Sequence, residues 1–256
     1  MPSFNIVHRT FVVLYAGSFG LLFAGATAST GTLWSGSQQK STSPAAAPSR
    51  ELEFAVRGDM FAGMAGETAA FDRAMKACDA ALAADPKNAV ALVWHATGMY
   101  FRSSLAFRSG DVAGGNSLRE QARKEMDDGV VLRPNSVDIL IPRATVLQMQ
   151  AAHTPDAEIA KRVWQRSTDD FEKAIQLQAD GFDKLPVDSR GELLGGLAEG
   201  YAGLGDTTKA RTYLTRLTKE MPDTTYGQKA KTLLAGESLP RPLGITCIGC
   251  HVDYKK

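Results

Sequence analysis

Three stretches of this chain repeat one another, and that repetition limits what the chain can fold into. Ala74-x3-Cys78-x2-Ala81-x4-Pro86, Ala122-x3-Met126-x2-Gly129-x4-Pro134 and Ala210-x3-Leu214-x2-Leu217-x4-Pro222 share one spacing. Residues three and four apart lie on one face of a helix, and the small ones let a second helix come close. The proline that closes each stretch stops the helix and opens the next segment. Around these stretches apolar residues and alanines recur at i, i+3, i+4 and i+7, with no convincing alternating strand. Breaks fall at Asp85-Pro86, Arg133-Pro134, Leu185-Pro186, Gly203-Leu204-Gly205-Asp206 and Met221-Pro222. A single helix pair of this kind cannot bury its apolar face, so successive pairs must stack. The expectation is an all-α body over residues 51–236, closed by an amphipathic helix from Tyr226 to Leu234.

The last copy carries the clearest signature. Leu194, Leu197, Ala198, Tyr201, Gly205-Asp206, Ala210, Leu214, Leu217 and Pro222 stand at spacings that resemble the tetratricopeptide repeat. A second copy offers Leu92, His95, Ala96, Met99, Ala122, Met126, Gly129 and Pro134. A third is degenerate, with Leu140, Ala144, Leu147, Phe171 and Ala174 but no closing proline, and a first is marked mainly by its second helix. The resemblance implies a short right-handed α-solenoid of four hairpins that docks a protein partner in its groove. In the second unit the groove positions would be Val93, Thr97, Tyr100 and Phe101, which suit an apolar or extended segment better than an acidic tail. The copies are longer than the family's period. The extra residues are expected as loops near Arg102 to Ser117 and Ala151 to Asp156.

The ends of the chain have a different character. Residues 1–28 pair Arg9 with an apolar run from Thr10 to Gly25 and the small residues Ala26-Thr27-Ala28, as in an export signal. Its length also approaches that of a membrane span, so an uncleaved anchor tethering the protein is the alternative. Either reading places the rest outside the cytoplasmic membrane, in the periplasm or a like compartment. Residues 29–50 are rich in Ser, Thr, Gly, Ala and Pro and read as a flexible linker, with Trp34 its one large apolar side chain. Losing residues 1–28 removes Arg9 and leaves 28 bases against 28 acids. A neutral body has no electrostatic case for binding nucleic acid.

Residues 237–256 form an extended Pro-containing tail that holds Cys247-Ile248-Gly249-Cys250-His251. In a C-x-x-C-H run the two thiols can form thioethers to one haem, and the adjoining imidazole can bind its iron. The expected cofactor is one covalent haem c, with Cys247 and Cys250 as attachment points, His251 as the proximal iron ligand and the distal ligand unassigned. Electron transfer within a protein assembly would follow, with another cytochrome or redox protein as partner. Only five residues follow His251, so no cytochrome envelope is supplied locally. The rival reading is a non-haem envelope interaction scaffold whose Cys pair forms a disulfide or metal clip.

The remaining candidates read as structural. Cys78 sits where the repeat buries an aromatic ring, so it should be a small core residue. His95 should be a hydrogen-bonded core histidine, with an iron-ligand role as the alternative. His153 should be solvated. Met60, Phe61, Met64 and Phe71 form an apolar cluster, and Arg57, Asp59 and Arg143 read as ion-pair partners with a polar pocket as the alternative. The Val56–Gly63 run, Trp94-His95 and Ile141-Pro142-Arg143 are similar to a pattern in exported bacterial repeat proteins, which implies no activity. The chain shows no Gly-rich phosphate loop, Gly-x-Ser-x-Gly or His-Glu-x-x-His, so no enzyme is expected.

Overall fold

The apolar periodicity becomes helix throughout the part of the chain that the computed structural model describes, residues 47–236, with side chains from residue 51. Residues 1–46 and the tail 237–256, with Cys247, Cys250 and His251, lie outside the described residues, as does Trp34. Among the described residues there is no strand. The helices are α1 (Ala47–Met64), α2 (Thr68–Ala84), α3 (Ala89–Arg108), α4 (Val112–Leu132), α5 (Val137–Ala152), α6 (Ala157–Leu177), α7 (Val187–Gly203), α8 (Thr207–Glu220) and α9 (Thr225–Leu234), with a 3-10 segment at Ala179–Lys184. No described helix is long and apolar enough to cross a membrane. Helix α1 starts at Ala47, inside the segment expected as linker. Pro48 is tolerated there because the first turn needs no backbone N–H.

The helices pack in neighbouring pairs: α1 on α2, α3 on α4, α5 on α6 and α7 on α8, with α9 against α8. The first helices of successive pairs also touch, α1 with α3, α3 with α5, α5 with α7 and α7 with α9. The boundaries follow from capping chemistry. Asn88 Oδ1 accepts from the backbone N–H of Ala91 at 3.1 Å, and Asp111, Asp156 and Asp206 cap α4, α6 and α8 in the same way. A capping oxygen at this position satisfies a donor that the helix leaves unpaired.

The repeated residues face inward as their spacing requires. Ala74, Cys78, Ala122, Met126, Ala210, Leu214 and Leu217 are all buried. They contribute to two apolar clusters, one around Met60, Phe71 and Val93 and the other around Phe171, Leu194 and Tyr226. The third copy, which lacks its closing proline, ends instead in the 3-10 segment, where Phe182 turns inward and Arg216 covers its ring.

Most of the extra length of the copies forms helix and not loop. The expected insertion at Arg102 to Ser117 is almost wholly helix: α3 runs on to Arg108 and α4 begins at Val112, with three residues between them. The added turns support each other, since the Arg119 guanidinium lies 4.5 Å from the Phe107 ring centroid and 5.6 Å from that of Tyr100. A cation held over two rings stabilises an extension that propensity alone would not. Between α5 and α6 the connection is again short, residues 153–156.

Glycines set how near the helices come. A methyl group on Gly196 of α7 would overlap the ring of Phe171 on α6, which is fully buried and has no space to retreat. Gly196→Ala is therefore expected to lower the unfolding free energy by about 1–3 kcal/mol in urea titration, the usual cost of overpacking. An unchanged midpoint would mean that α6 and α7 do not meet at this distance.

Candidate functional site

A cavity of about 370 Å³ lies where the first helices of the pairs face one another. Helical spacing brings the wall together. On α1 the residues are Glu53, Arg57 and Phe61, four apart; on α5 they are Ile141, Thr145 and Met149, also four apart. Helix α3 contributes Trp94 and Thr97, and α7 contributes Glu192. Pro142 also lines the cavity; it sits inside α5 and cannot donate to the carbonyl of Asp138.

An ion pair joins the first helix to the seventh. Arg57 Nη2 donates to Glu192 Oε2 at 3.2 Å across 135 residues of sequence, and Arg57 Nη1 lies 3.8 Å from Glu53 Oε1. Glu192 is only 5% exposed. Burial raises its carboxyl from the ordinary 4.5 to about 7, against the opposing pull of Arg57, and Glu53 and Asp188 add to the rise.

The sequence candidates divide between this cavity and plain structure. Arg57, Phe61 and Met64 line the cavity, whereas Met60 and Phe71 belong to the core beside it. Asp59 is bound to Arg73 by two hydrogen bonds of 2.6 and 2.9 Å. Arg143 grips Asp170 with two of 2.7 Å and reaches Asp127 at 3.1 Å. Arg57, Asp59 and Arg143 are thus ion-pair partners in separate places and share no pocket. Of the expected groove positions on α3 only Thr97 lines the cavity. Val93, Tyr100 and Phe101 turn toward the core, and the other α3 residue in the cavity wall is Trp94, itself buried.

His95 is held on both sides. Its Nδ1 lies 2.7 Å from Glu125 Oε2 and its Nε2 3.3 Å from Asp79 Oδ1. The hydrogen bond to Glu125 raises its pKa from 6.5, and burial only partly offsets the rise. Neither nitrogen is available to iron. His153 is exposed and its Nδ1 bonds the carbonyl of Met149 at 2.8 Å. Cys78 is fully buried, and its thiol is pushed up to about 12 by that burial. No group of three or more His, Cys, Asp and Glu among the described residues is placed to hold a metal ion.

No known family model, curated protein or solved structure matches this chain. The chemistry must be argued from its own residues. Glu192 was missed by sequence reasoning, although one signal was present: it is a lone acid within the Gly-Leu-Ala stretch Gly191–Ala198. Nothing local announces that Arg57, so distant in sequence, is its partner.

Two pH effects follow, in windows that overlap between 6.5 and about 7. Between about 4.5 and 7 the folded chain binds Glu192's proton more tightly than the unfolded chain, so this group's contribution to stability falls as pH rises. Glu192→Gln should flatten the slope of Tm against pH there. His95 contributes stability below 6.5 that is lost as pH climbs through its raised folded value. His95→Gln should therefore cost more at pH 6 than at pH 9, and an equal cost at both would show that the imidazolium is not held by Glu125.

Proposed function

We propose that this protein is an exported tetratricopeptide-like scaffold that carries one covalently bound c-type haem and passes electrons within a protein assembly. The observation that carries the reading is the run Cys247-Ile248-Gly249-Cys250-His251 near the end of a chain that opens with an export-type segment. Cys247 and Cys250 provide the two thioethers and His251 the proximal imidazole. When bound, the haem supplies a one-electron iron couple.

The described residues support this reading indirectly. Cys78 is buried and its thiol stays protonated, which leaves Cys247 and Cys250 as a pair with no competing cysteine. His95 has both ring nitrogens occupied by carboxylates and does not compete with His251 for iron. The paired helices, with first helices touching in succession, suit a short right-handed solenoid of hairpins. Such a body presents one face to a partner.

The test is a reduced-minus-oxidised visible spectrum of full-length protein made alongside a c-haem maturation system. The expected result is a c-type α-band that survives denaturation and is lost in Cys250→Ala. A colourless protein with two titratable thiols, or with one bound zinc, would overturn the reading and favour the non-haem scaffold.

A further inference from the structure

The cavity between α1, α3, α5 and α7 is a large space in a body whose helices otherwise interdigitate. Voids bigger than a water molecule are few inside a packed domain, and this one measures about 370 Å³. Phe61, Ile141 and Met149 give it an apolar lining, and Phe54 lies in its wall while 74% exposed. The acids of the wall are already matched: Arg57 serves Glu53 and Glu192, and Arg133 stands 3.6 Å from Asp138. The cavity therefore favours an apolar occupant and requires no charge from it. An inner face formed by stacked helix pairs suits an extended segment.

This chain carries such a segment in Leu239-Pro240-Arg241-Pro242-Leu243-Gly244-Ile245. Each proline fixes its own backbone angle and disfavours helix in the residue before it, so the run reads as extended. Polyproline-type geometry has three residues per turn. In that geometry Leu239, Pro242 and Ile245 would share one edge and Pro240 and Leu243 the next, with Arg241 and Gly244 on the third. Two adjoining edges would then be apolar, and the one charge of the run would lie away from them.

The segment is within reach. Residues 204–206 join α7 to α8 and residues 221–224 join α8 to α9, connections short enough to make neighbours antiparallel, so α9 runs parallel to α7. The two helices start level, since a methyl group on Gly191 would overlap the ring of Tyr226. Gly191 adjoins Glu192 of the cavity wall. Helix α9 has 10 residues, so its end lies about 15 Å along α7 from that level. With about 10 Å between helix axes, the path back to the wall is about 18 Å. At about 3.1 Å per residue, about six residues beyond Gly236 cover it, which brings Leu243 to the cavity.

We propose that residues 239–245 of the chain's own tail occupy this cavity, with Leu243 seated among Phe61, Ile141 and Met149 and Arg241 turned to solvent. The cavity is then filled in cis, and an outside partner reaches it only by displacing the tail. Cys247 stands two residues beyond Ile245, so the C-x-x-C-H run is held at the cavity mouth, against the body. The proposal holds whether or not that run carries haem.

The test uses the full-length chain with Cys247→Ser and Cys250→Ser, so that neither haem attachment nor a disulfide bears on the result. With Leu243→p-benzoylphenylalanine added, irradiation should join position 243 to Phe61, Ile141 or Met149 of the same molecule, read by mass spectrometry of the digested monomer. Without it, the amides of Leu243, Gly244 and Ile245 should exchange at least about tenfold more slowly than in a synthetic peptide of residues 237–246. Phe54→Asp changes an exposed wall position outside the core and should return that exchange toward the peptide's rate. Cross-links found only between two chains or only on other surfaces, exchange at the peptide's rate, or protection that Phe54→Asp leaves unchanged would overturn the proposal. None of these results alters the haem reading, which the spectrum of the unaltered protein tests separately.

Discussion

Close approach of helices, made by setting a small residue against a large one, is the constraint on which the structure depends. Gly98 on α3 receives Met75 of α2, Gly129 on α4 receives Val93 of α3, and Gly196 on α7 receives Phe171 of α6. In each case a side chain as small as a methyl group would collide. The helices can therefore sit close enough for their apolar faces to leave water together, which provides most of the folding free energy of the helical body. Where closer contact is not needed, longer side chains take over, as Arg119 does above Phe107 and Tyr100.

Because the first helices of the pairs also touch, their shared face encloses a cavity instead of a flat surface. The Arg57–Glu192 contact ties α1 to α7 across that face, which is why a buried acid in the second half of the chain answers to a base near its start. A buried carboxylate is expensive unless it is paired, and here one guanidinium serves both Glu53 and Glu192. The arrangement sets a paired base and its acids beside an apolar lining of Phe61, Ile141 and Met149. Elsewhere a base is shared between two acids, Arg143 between Asp170 and Asp127 and His95 between Asp79 and Glu125.

Much of this was legible in the sequence, and the parts that were not share a cause. Helix identity, the breaks and the burial of Ala74, Ala122 and Ala210 follow from spacing, because periodicity is a local property. The helical run through Arg102 to Ser117 was misjudged as a loop. Asp111 and two neighbouring residues carry the entire turn, and the stacking of Arg119 on Phe107 joins residues twelve apart that no pattern links. Of the expected groove positions on α3 only Thr97 reaches the cavity, since the face a helix turns to its neighbours depends on how the pairs rotate. The Arg57–Glu192 contact depends on the whole fold and had no sequence signature beyond one acid in an apolar helix. The C-x-x-C-H run, in contrast, is chemically readable by itself and lies in the tail, outside the described residues.

The most direct measurement of the central claim is the intact mass of the full-length gene product after export by cells that mature c-type cytochromes. The account predicts a chain beginning at Ser29 or at its original start, heavier by one haem and with neither tail cysteine open to alkylation. A chain of unmodified mass, or one lighter only by the two hydrogens of a Cys247–Cys250 disulfide, would contradict it.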